Sequence, residues 1–401
     1  MSLSESRRWR ESAEPERKSV LPAVRWSRYP WPVFLLALGV LGTGVVLIHS
    51  MWEMGERFEH EDVSFSRHLR NVAAASPALL FGLLMRPSRL RLVAPWLYGL
   101  CLVLLLLVPV IGIELNNAKR WIATPIGFDL QPSEFAKVGL ILLLASLLHT
   151  RRLQRWSEWL LPAGAALVPM GLVAVQPDLG TAMTIVPIFG AMAYLAGASG
   201  QRMLALVAVG ALTVFGAVQT GAIQDYQLRR IETWARTFEA EPLIEERNGA
   251  PFHVFHARVS IGNGGWEGTG LGRGVATVSA HLPERESDSI FCVVAEEGGF
   301  LGATLFIGLY GSLVALLLGV AASLRDRFSR LVVGGVAAYF GAHFFINAGV
   351  NLGLVPMTGL PLPLLSTGGS SLLASFGALG LALGQAAQQE PNLDADAFAD
   401  G

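Results

Sequence analysis

The segment His281–Phe291 reads His-Leu-Pro-Glu-Arg-Glu-Ser-Asp-Ser-Ile-Phe and sets three carboxylates, Glu284, Glu286 and Asp288, at alternate positions. A carboxylate within hydrogen-bond reach of a hydroxyl can take its proton and make a poor nucleophile competent. A carboxylate can also hold a divalent cation. The sequence leaves both roles open for Asp288, the residue on which the chemistry is placed. Upstream, Ile261–Gly274 is dense in glycine. Such a passage can turn backbone N–H groups toward a phosphate, and tight turns account for it equally well. It follows no strand and lacks the P-loop lysine, so it is neither a dinucleotide fingerprint nor a Walker motif.

Further polar groups stand where an apolar chain should have none. Asn116-Asn117-Ala118-Lys119-Arg120-Trp121 leads to Gln131-Pro132-Ser133-Glu134-Phe135-Ala136-Lys137. Lys119, Arg120 and Lys137 could together form a basic pocket for an anionic headgroup. Glu134 and Lys137, three apart on a helix, could equally close an internal ion pair. In Gln176–Thr181, Asp178 is placed to cap the following helix, with substrate or metal contact as the other reading. His343, Asn347 and Asn351 recur every four residues and form one polar stripe. That stripe serves either inter-helix hydrogen bonds or a substrate groove. Pro356–Ser371 holds three prolines, three glycines and the hydroxyls of Ser366, Ser370 and Ser371. Irregular backbone at membrane depth must be buried in protein or line a wet cavity.

The elements that position these groups are membrane spans. Of 401 residues, 52% are hydrophobic and only 15% are charged, against about a quarter charged in soluble proteins. Apolar runs long enough to cross a core of roughly 30 Å occur at 31–50, 71–86, 92–113, 132–149, 159–175, 179–197, 203–221, 290–322, 331–355 and 366–388. The class is an all-α polytopic membrane protein of about ten helices. Arginines crowd residues 1–29 and the loops around 86–91, 151–155 and 325–330, which makes that side cytoplasmic. Three regions follow: a basic cytoplasmic tail over 1–29, a transmembrane domain over 30–388, and an acidic cytoplasmic tail over 389–401. Residues 222–289 form a large extracytoplasmic loop between spans seven and eight, too long for a mere connector. Within it, Gln227–Phe238 has the pattern of a helix lying in the headgroup plane or packed on the bundle, and Glu239–Glu246 is an acidic, solvated middle. The first span reads as an uncleaved anchor rather than a signal peptide. Cys101 and Cys292 sit in apolar surroundings as small hydrophobes, with no metal-ligand spacing. Nothing in the charge pattern points to nucleic acid.

Taken in order, Asn116–Trp121, Gln131–Lys137, Gln176–Ala182, Tyr226–Ile231, Ile261–Gly272, Leu282–Glu297 and Asn347–Ser371 resemble the motifs of the SEDS family (shape, elongation, division and sporulation proteins), which includes RodA and FtsW. The resemblance covers nearly all of the transmembrane part. It implies a ten-span bundle with both termini cytoplasmic. It also implies peptidoglycan glycosyltransferase activity, polymerising lipid II at the outer face of the bacterial cytoplasmic membrane for cell elongation or division, with a class B penicillin-binding transpeptidase as partner. By motif, Asp288 falls on the family's essential aspartate, Lys119, Arg120, Glu134 and Lys137 on its polar pocket, and Ser366–Ser371 on its final signature. The chain departs from the family at Ser287 and Ser289, which flank the aspartate where Thr and Phe are usual, at Thr367 for tyrosine, at Asn117 for glycine and at His256 for glutamine. Ala280 stands where division-type members often carry an acidic residue.

The expected reaction is inverting hexosyl transfer from a polyprenyl-pyrophosphate donor. Asp288 is the catalytic candidate. Lys119, Arg120, Glu134, Lys137, Asp178, His343, Asn347, Ser366 and Ser370 are candidate substrate contacts, and a divalent cation (Mg or Mn) is the one cofactor weighed. The reading requires Asp288 to share a cleft with Lys119, Arg120 and Lys137. Two other classes compete. A lipid II flippase would also have many spans and a broken segment at 356–371, but here the polar residues gather toward one face. A non-catalytic scaffold recruiting the transpeptidase would tolerate the motif substitutions.

Overall fold

A computed structural model describes residues 24–58, 63–115, 118–124, 129–219, 228, 230, 232, 234–235, 250–279, 282 and 284–388. Most of both tails, the greater part of Gln227–Phe238 and all of Glu239–Glu246 lie outside the described residues, as do Asn116, Asn117, Ala280 and His281.

The chain is a helical bundle. Its long helices are α1 (Trp31–Phe58), α2 (Phe65–Leu84), α3 (Pro87–Ile111), α4 (Pro132–Leu148), α5 (Leu160–Val175), α6 (Leu179–Leu195) and α7 (Gly200–Gln219). After the loop helices α8 (Ala250–Asn263) and α9 (Val275–Ser279) come α10 (Ile290–Ser323), α11 (Arg327–Asn351) and α12 (Gly369–Ala387). Each of the ten apolar runs thus falls on a long helix. By length and composition alone, five (α1, α3, α10, α11 and α12) are apolar and long enough to cross a membrane. α5 and α6, and α7 over Gly200–Thr213, are apolar but shorter.

Local chemistry fixes the helix starts. Pro87 and Pro132 open α3 and α4, where a missing N–H costs nothing. The Asp178 carboxylate accepts from Thr181 N–H at the head of α6 and Asp326 from Ser329 N–H at the head of α11, each satisfying an orphan donor. The run expected as a single span at 290–322 is interrupted. Gly299 leaves the helical region (φ 64°, ψ −165°), so α10 is a short buried segment, Ile290–Gly298, followed by a long one. An added Cβ at Gly299 would run into the backbone of Trp266–Gly268, so the break is where the glycine passage crosses the helix.

The segment expected as a plain loop at 114–131 contains a small antiparallel sheet, β1 (Ile113–Leu115), β2 (Ala118–Ala123) and β3 (Asp129–Leu130), in the order β1-β2-β3. Strands this short lack the alternation that would reveal them in a sequence. Lys119 stands opposite Glu114 in the β1–β2 register.

α11 and α12 form the centre, with 78% and 89% of their apolar windows buried, against 17% for α3. Leu92, Trp96, Val110 and Leu305 remain largely exposed on the outer helices, an arrangement suited to hydrocarbon rather than water. α2 and α12 approach closest. Added Cβ atoms at Gly82 and Gly384 would meet Leu381 N at 2.6 Å and Leu83 O at 2.7 Å, and one at Gly380 would strike the Leu79 carbonyl. Small residues four apart, as at Gly380 and Gly384, let two backbones touch where lipid provides no hydrophobic drive. Gly380→Ala should therefore melt roughly 3–10 °C lower in detergent. Gly99→Ala, where an added Cβ meets nothing within 4 Å, should melt like the parent; equal melting of the two variants would refute this packing.

Candidate active site

The end of the glycine passage and α9, on which the Asp288 turn rests through Arg285, are held by carboxylates of the helix that follows that turn. Glu297 accepts from Gly272 N–H (3.1 Å) and Thr277 hydroxyl (2.6 Å). Glu296 accepts from the N–H groups of Val275 (3.0 Å) and Ala276 (2.9 Å). Within the glycine passage Gly272 N–H is taken by Glu297 and the N–H groups of Gly264, Gly265, Gly268 and Gly270 by backbone carbonyls, so the phosphate-cradle reading gives way at these donors. Gly265, Gly268, Gly270 and Gly272 have positive φ, so the passage is a series of tight turns that only glycine adopts readily. Arg285 is almost wholly buried and donates to the carbonyls of Ala276 (2.8 Å) and Thr277 (2.6 Å). The glycine passage, α9 and the Asp288 turn therefore form one hydrogen-bonded unit on the first segment of α10.

Two amides grip Asp288 from above. Asn347 and Asn351 both donate to its backbone carbonyl, at 2.9 and 3.0 Å. Asn347 also donates to Leu360 O at 2.7 Å, which ties the turn to the irregular passage after α11. Ser366 hydroxyl donates to Ser287 O (2.7 Å) while accepting from Leu362 N–H (2.9 Å), and Thr367 N–H donates to Glu286 O (3.1 Å). Each bond satisfies a backbone group that hydrocarbon would leave unpaired. The passage also receives Trp234 Nε1 on Gly353 O at 3.0 Å and Arg230 on Met357 O at 3.3 Å. These described parts of the loop helix pack on protein.

The Asp288 side chain is half-buried and borders a shallow concavity lined by His253, Asn347, Thr358, Gly359 and Leu360 among others. Ser287 hydroxyl donates to its Oδ1 at 3.1 Å, and an added Cβ on Gly359 would sit 3.1 Å from Oδ2. Burial, followed by repulsion from Glu284, pushes the Asp288 carboxyl up to about 7, with Asp178 and Glu286 adding to the shift against the Ser287 hydrogen bond. A carboxyl balanced at that value can both accept and release a proton near neutrality.

The cations expected to share this cleft do not line it. Lys137 is buried among protein groups, with its Nζ 2.6 Å from Glu134 Oε1 and 2.8 Å from His343 Nε2. His343 Nδ1 lies 3.2 Å from Pro361 O. That carbonyl can only accept, so Nδ1 carries the proton and Nε2 accepts from the ammonium. Lys137 joins the Asp288 site through the His343–Asn347–Asn351 stripe, one layer removed. Arg120 is engaged by the turn before α6, donating to the Gln176 and Pro177 carbonyls with Asp178 Oδ1 at 4.0 Å. Gln131 bridges Asp178 Oδ2 (3.2 Å) and, through its N–H, Ser370 hydroxyl (2.9 Å), and Ser370 donates to Asp129 O (2.7 Å). Lys119 is exposed on β2. The requirement that Asp288 share a cleft with these three cations is therefore not met: Lys137 and Arg120 are spent on internal carboxylates and carbonyls along a polar seam, which spacing along the chain could not show, and Lys119 pairs in register with Glu114. His253, Thr358 and Gly359 escaped the sequence reading. The only signal for Thr358 and Gly359 was the irregular composition after Pro356, and His253 carried none.

No group of three His, Cys, Asp or Glu side chains converges as a metal cage among the described residues. A lone carboxylate such as Asp288 still fits the magnesium mode, in which one or two protein carboxylates share the ion with substrate phosphates and water.

Removing either member of the Glu134–Lys137 pair leaves a buried charge without its counter-ion. Glu134→Gln and Lys137→Met should each destabilise the protein by roughly 3–5 kcal/mol, and the double variant should recover most of that loss. Additive losses in a double-mutant cycle of thermal melts would show that the pair is not coupled.

A family model described as "Cell cycle protein", spanning FtsW, RodA and SpoVE, matches residues 30–390. A probable peptidoglycan glycosyltransferase FtsW of Trichlorobacter lovleyi is 31% identical over 368 residues, covering 90% of this chain and 93% of that protein. The peptidoglycan glycosyltransferase MrdB of Escherichia coli is 33% identical over 294 residues, 72% of this chain and 76% of that one. Among solved structures, a chain of a peptidoglycan synthase complex that coordinates polymerization and crosslinking superposes with a TM-score of 0.75 at 30% identity, over 94% of this chain and 100% of that one. The rod shape determining protein RodA of Thermus thermophilus gives 0.67 at 29% identity, over 91% and 99%. With its polar seam, broken α10 and multi-pass helical bundle, this chain belongs to the FtsW/RodA/SpoVE family of cell cycle proteins.

Proposed function

We propose that this protein is a peptidoglycan glycosyltransferase that polymerises lipid II, with Asp288 as the general base. The observation that carries the reading is a half-buried carboxyl raised to about 7 and fixed by two amides on its own carbonyl, in a chain homologous to glycosyltransferases. The acceptor sugar hydroxyl attacks the anomeric carbon of a second lipid-linked disaccharide. Its proton passes to Asp288 as the new C–O bond forms, and the bond to the polyprenyl diphosphate breaks with the electron pair leaving on that oxygen. The configuration inverts.

The reading rests on Asp288 and on the homology rather than on a cationic recess: Arg120 and Lys137 are engaged by protein groups and act on the diphosphate only through longer-range positive potential together with Lys119, and Glu134, Asp178, His343, Asn347, Ser366 and Ser370 shape the seam. Were Asp288 to hold a magnesium or manganese ion instead of acting as the base, that ion would supply charge neutralisation for the leaving diphosphate. Ten helices cross the bilayer, both tails lie in the cytoplasm beside the arginine-rich loops, and the Asp288 face is extracytoplasmic in the bacterial inner membrane. A class B penicillin-binding transpeptidase is the proposed partner. The similar chain in a polymerising and crosslinking complex supports it.

Purified wild-type protein given lipid II should form glycan strands, whereas Asp288→Asn should form none. Because burial disfavours the ionised Asp288, the Asn variant should fold and melt at least as well as the parent. Glycan at parental yield from Asp288→Asn would overturn the base assignment. Lipid II moved between leaflets without polymer would show a flippase. Chelator treatment of the same assay reads the metal requirement, with lost and magnesium-restored yield expected for a shared ion.

The base works only when ionised, so activity should climb as pH rises through about 7. Removing the repelling Glu284 carboxylate lowers the Asp288 pKa. Glu284→Gln should therefore move this rising limb to lower pH, and an unmoved limb would show that Asp288 does not control it.

A further inference from the structure

α11 runs 25 residues from Arg327 to Asn351, roughly 36 Å, and Asn351 holds the Asp288 carbonyl, so Arg327 stands at the far end of the bundle from the base. Three turns converge there. Arg327 donates to the carbonyls of Arg151, past the end of α4, and of Ala196, past the end of α6, both at 2.6 Å. Arg202 donates to Leu153 O at 3.2 Å and the Gln154 amide to Gly197 O at 2.9 Å, which ties the α4–α5 turn to the α6–α7 turn. Arg330 folds back on Leu324 O, at 2.9 and 3.1 Å, where α10 ends. The Arg327 and Arg330 guanidinium groups are thus mounted on backbone carbonyls rather than left to swing.

The mounting gathers like charges. Arg327 is repelled by both Arg152 and Arg330, and none of the three has a salt bridge among the described residues. Arg152 is exposed, and its guanidinium makes no hydrogen bond among the described residues. Asp326, the acidic neighbour in the α10–α11 turn, is engaged by Arg91 at 2.7 Å and by Ser329. Carbonyls satisfy N–H groups without neutralising a cation, so the cluster keeps its self-repulsion until an anion sits among the guanidinium groups. The surroundings are those of a bilayer boundary. Tyr194 in the last turn of α6, and Trp156 and Leu160 just beyond the arginines of the α4–α5 turn, are each more than half exposed, as aromatic belts are at headgroup level. Met183 and Val186 continue an exposed apolar face along α6.

We infer that Arg152, Arg327 and Arg330 form a binding site for the phosphate of an anionic phospholipid, whose acyl chains lie along the exposed face of α6. Planar guanidinium forks match pairs of phosphate oxygens, and basic pockets between helices on the cytoplasmic side take such headgroups. A lipid seated there would neutralise the cluster and fasten the ends of α4, α6 and α10 to one another. The inference needs the membrane bundle alone and not the glycosyltransferase reading.

Native mass spectrometry of the full chain in detergent, titrated with phosphatidylglycerol or with phosphatidylcholine of the same chain length, reads the site. The parent should bind a first phosphatidylglycerol roughly tenfold more tightly than phosphatidylcholine. Phosphatidylglycerol should also raise its melting temperature by roughly 2–5 °C. Arg152→Gln removes a guanidinium that holds no protein group, so it should melt like the parent in phosphatidylcholine and lose the tenfold preference. Arg89→Gln, at an exposed arginine in the first turn of α3, should keep the preference, which separates a site from the general attraction of a basic face. Equal affinity of the parent for the two lipids would overturn the inference, as would a preference that survives Arg152→Gln or one lost equally in both variants. The same rise in melting temperature from inorganic phosphate in phosphatidylcholine would overturn the assignment to a lipid. Binding is read without turnover of lipid II, so this site and the polymerase reading stand or fall separately.

Discussion

The structure depends on the double amide grip on the Asp288 carbonyl. Asn347 and Asn351, one turn apart on α11, converge on a single acceptor, and Asn347 spends its second proton on Leu360 O. This fixes the Asp288 turn to the most buried part of the bundle while leaving the carboxylate free to face the cleft. A loop held only by its neighbours in sequence would sample many conformers, and a base must sit within hydrogen-bond reach of the group it deprotonates.

The same economy governs the other buried charges. Glu296 spends both oxygens on backbone N–H groups, and Glu297 spends Oε1 on Gly272 N–H and the Thr277 hydroxyl, with no hydrogen bond to its Oε2 among the described residues. Lys137 spends its protons on Glu134 and His343. Each charge taken from water is met by fixed protein dipoles or by a counter-ion, the condition for keeping it at depth. Asp288 is the exception: its neighbours Glu284, Glu286 and Asp178 repel it, and among the described residues no cation balances it. A carboxyl arranged against its own ionisation contributes nothing to stability at neutral pH, which points to retention for chemistry.

Much of the fold was legible in the sequence because a bilayer reduces the choice of structure to apolar runs of sufficient length. All ten runs became helices. The break at Gly299 was not visible, since its cause is a crossing by Trp266–Gly268 from another part of the chain. The strands around Lys119 were too short to show a period. In the site, Asp288 and the His343–Asn347–Asn351 stripe could be read from residue type and spacing. The partition of Lys119, Arg120 and Lys137 into separate stations could not, because which carbonyl or carboxylate claims a cation is decided by tertiary packing.

The central claim is that the protein holds Asp288 as a carboxyl balanced between its charged and neutral forms. Difference infrared spectra between the parent and Asp288→Asn, followed over about pH 4 to 9, read the titration of that single group. The account predicts a carboxyl band that disappears with a midpoint at about 7. A midpoint near the ordinary aspartate value, about 4, would contradict it.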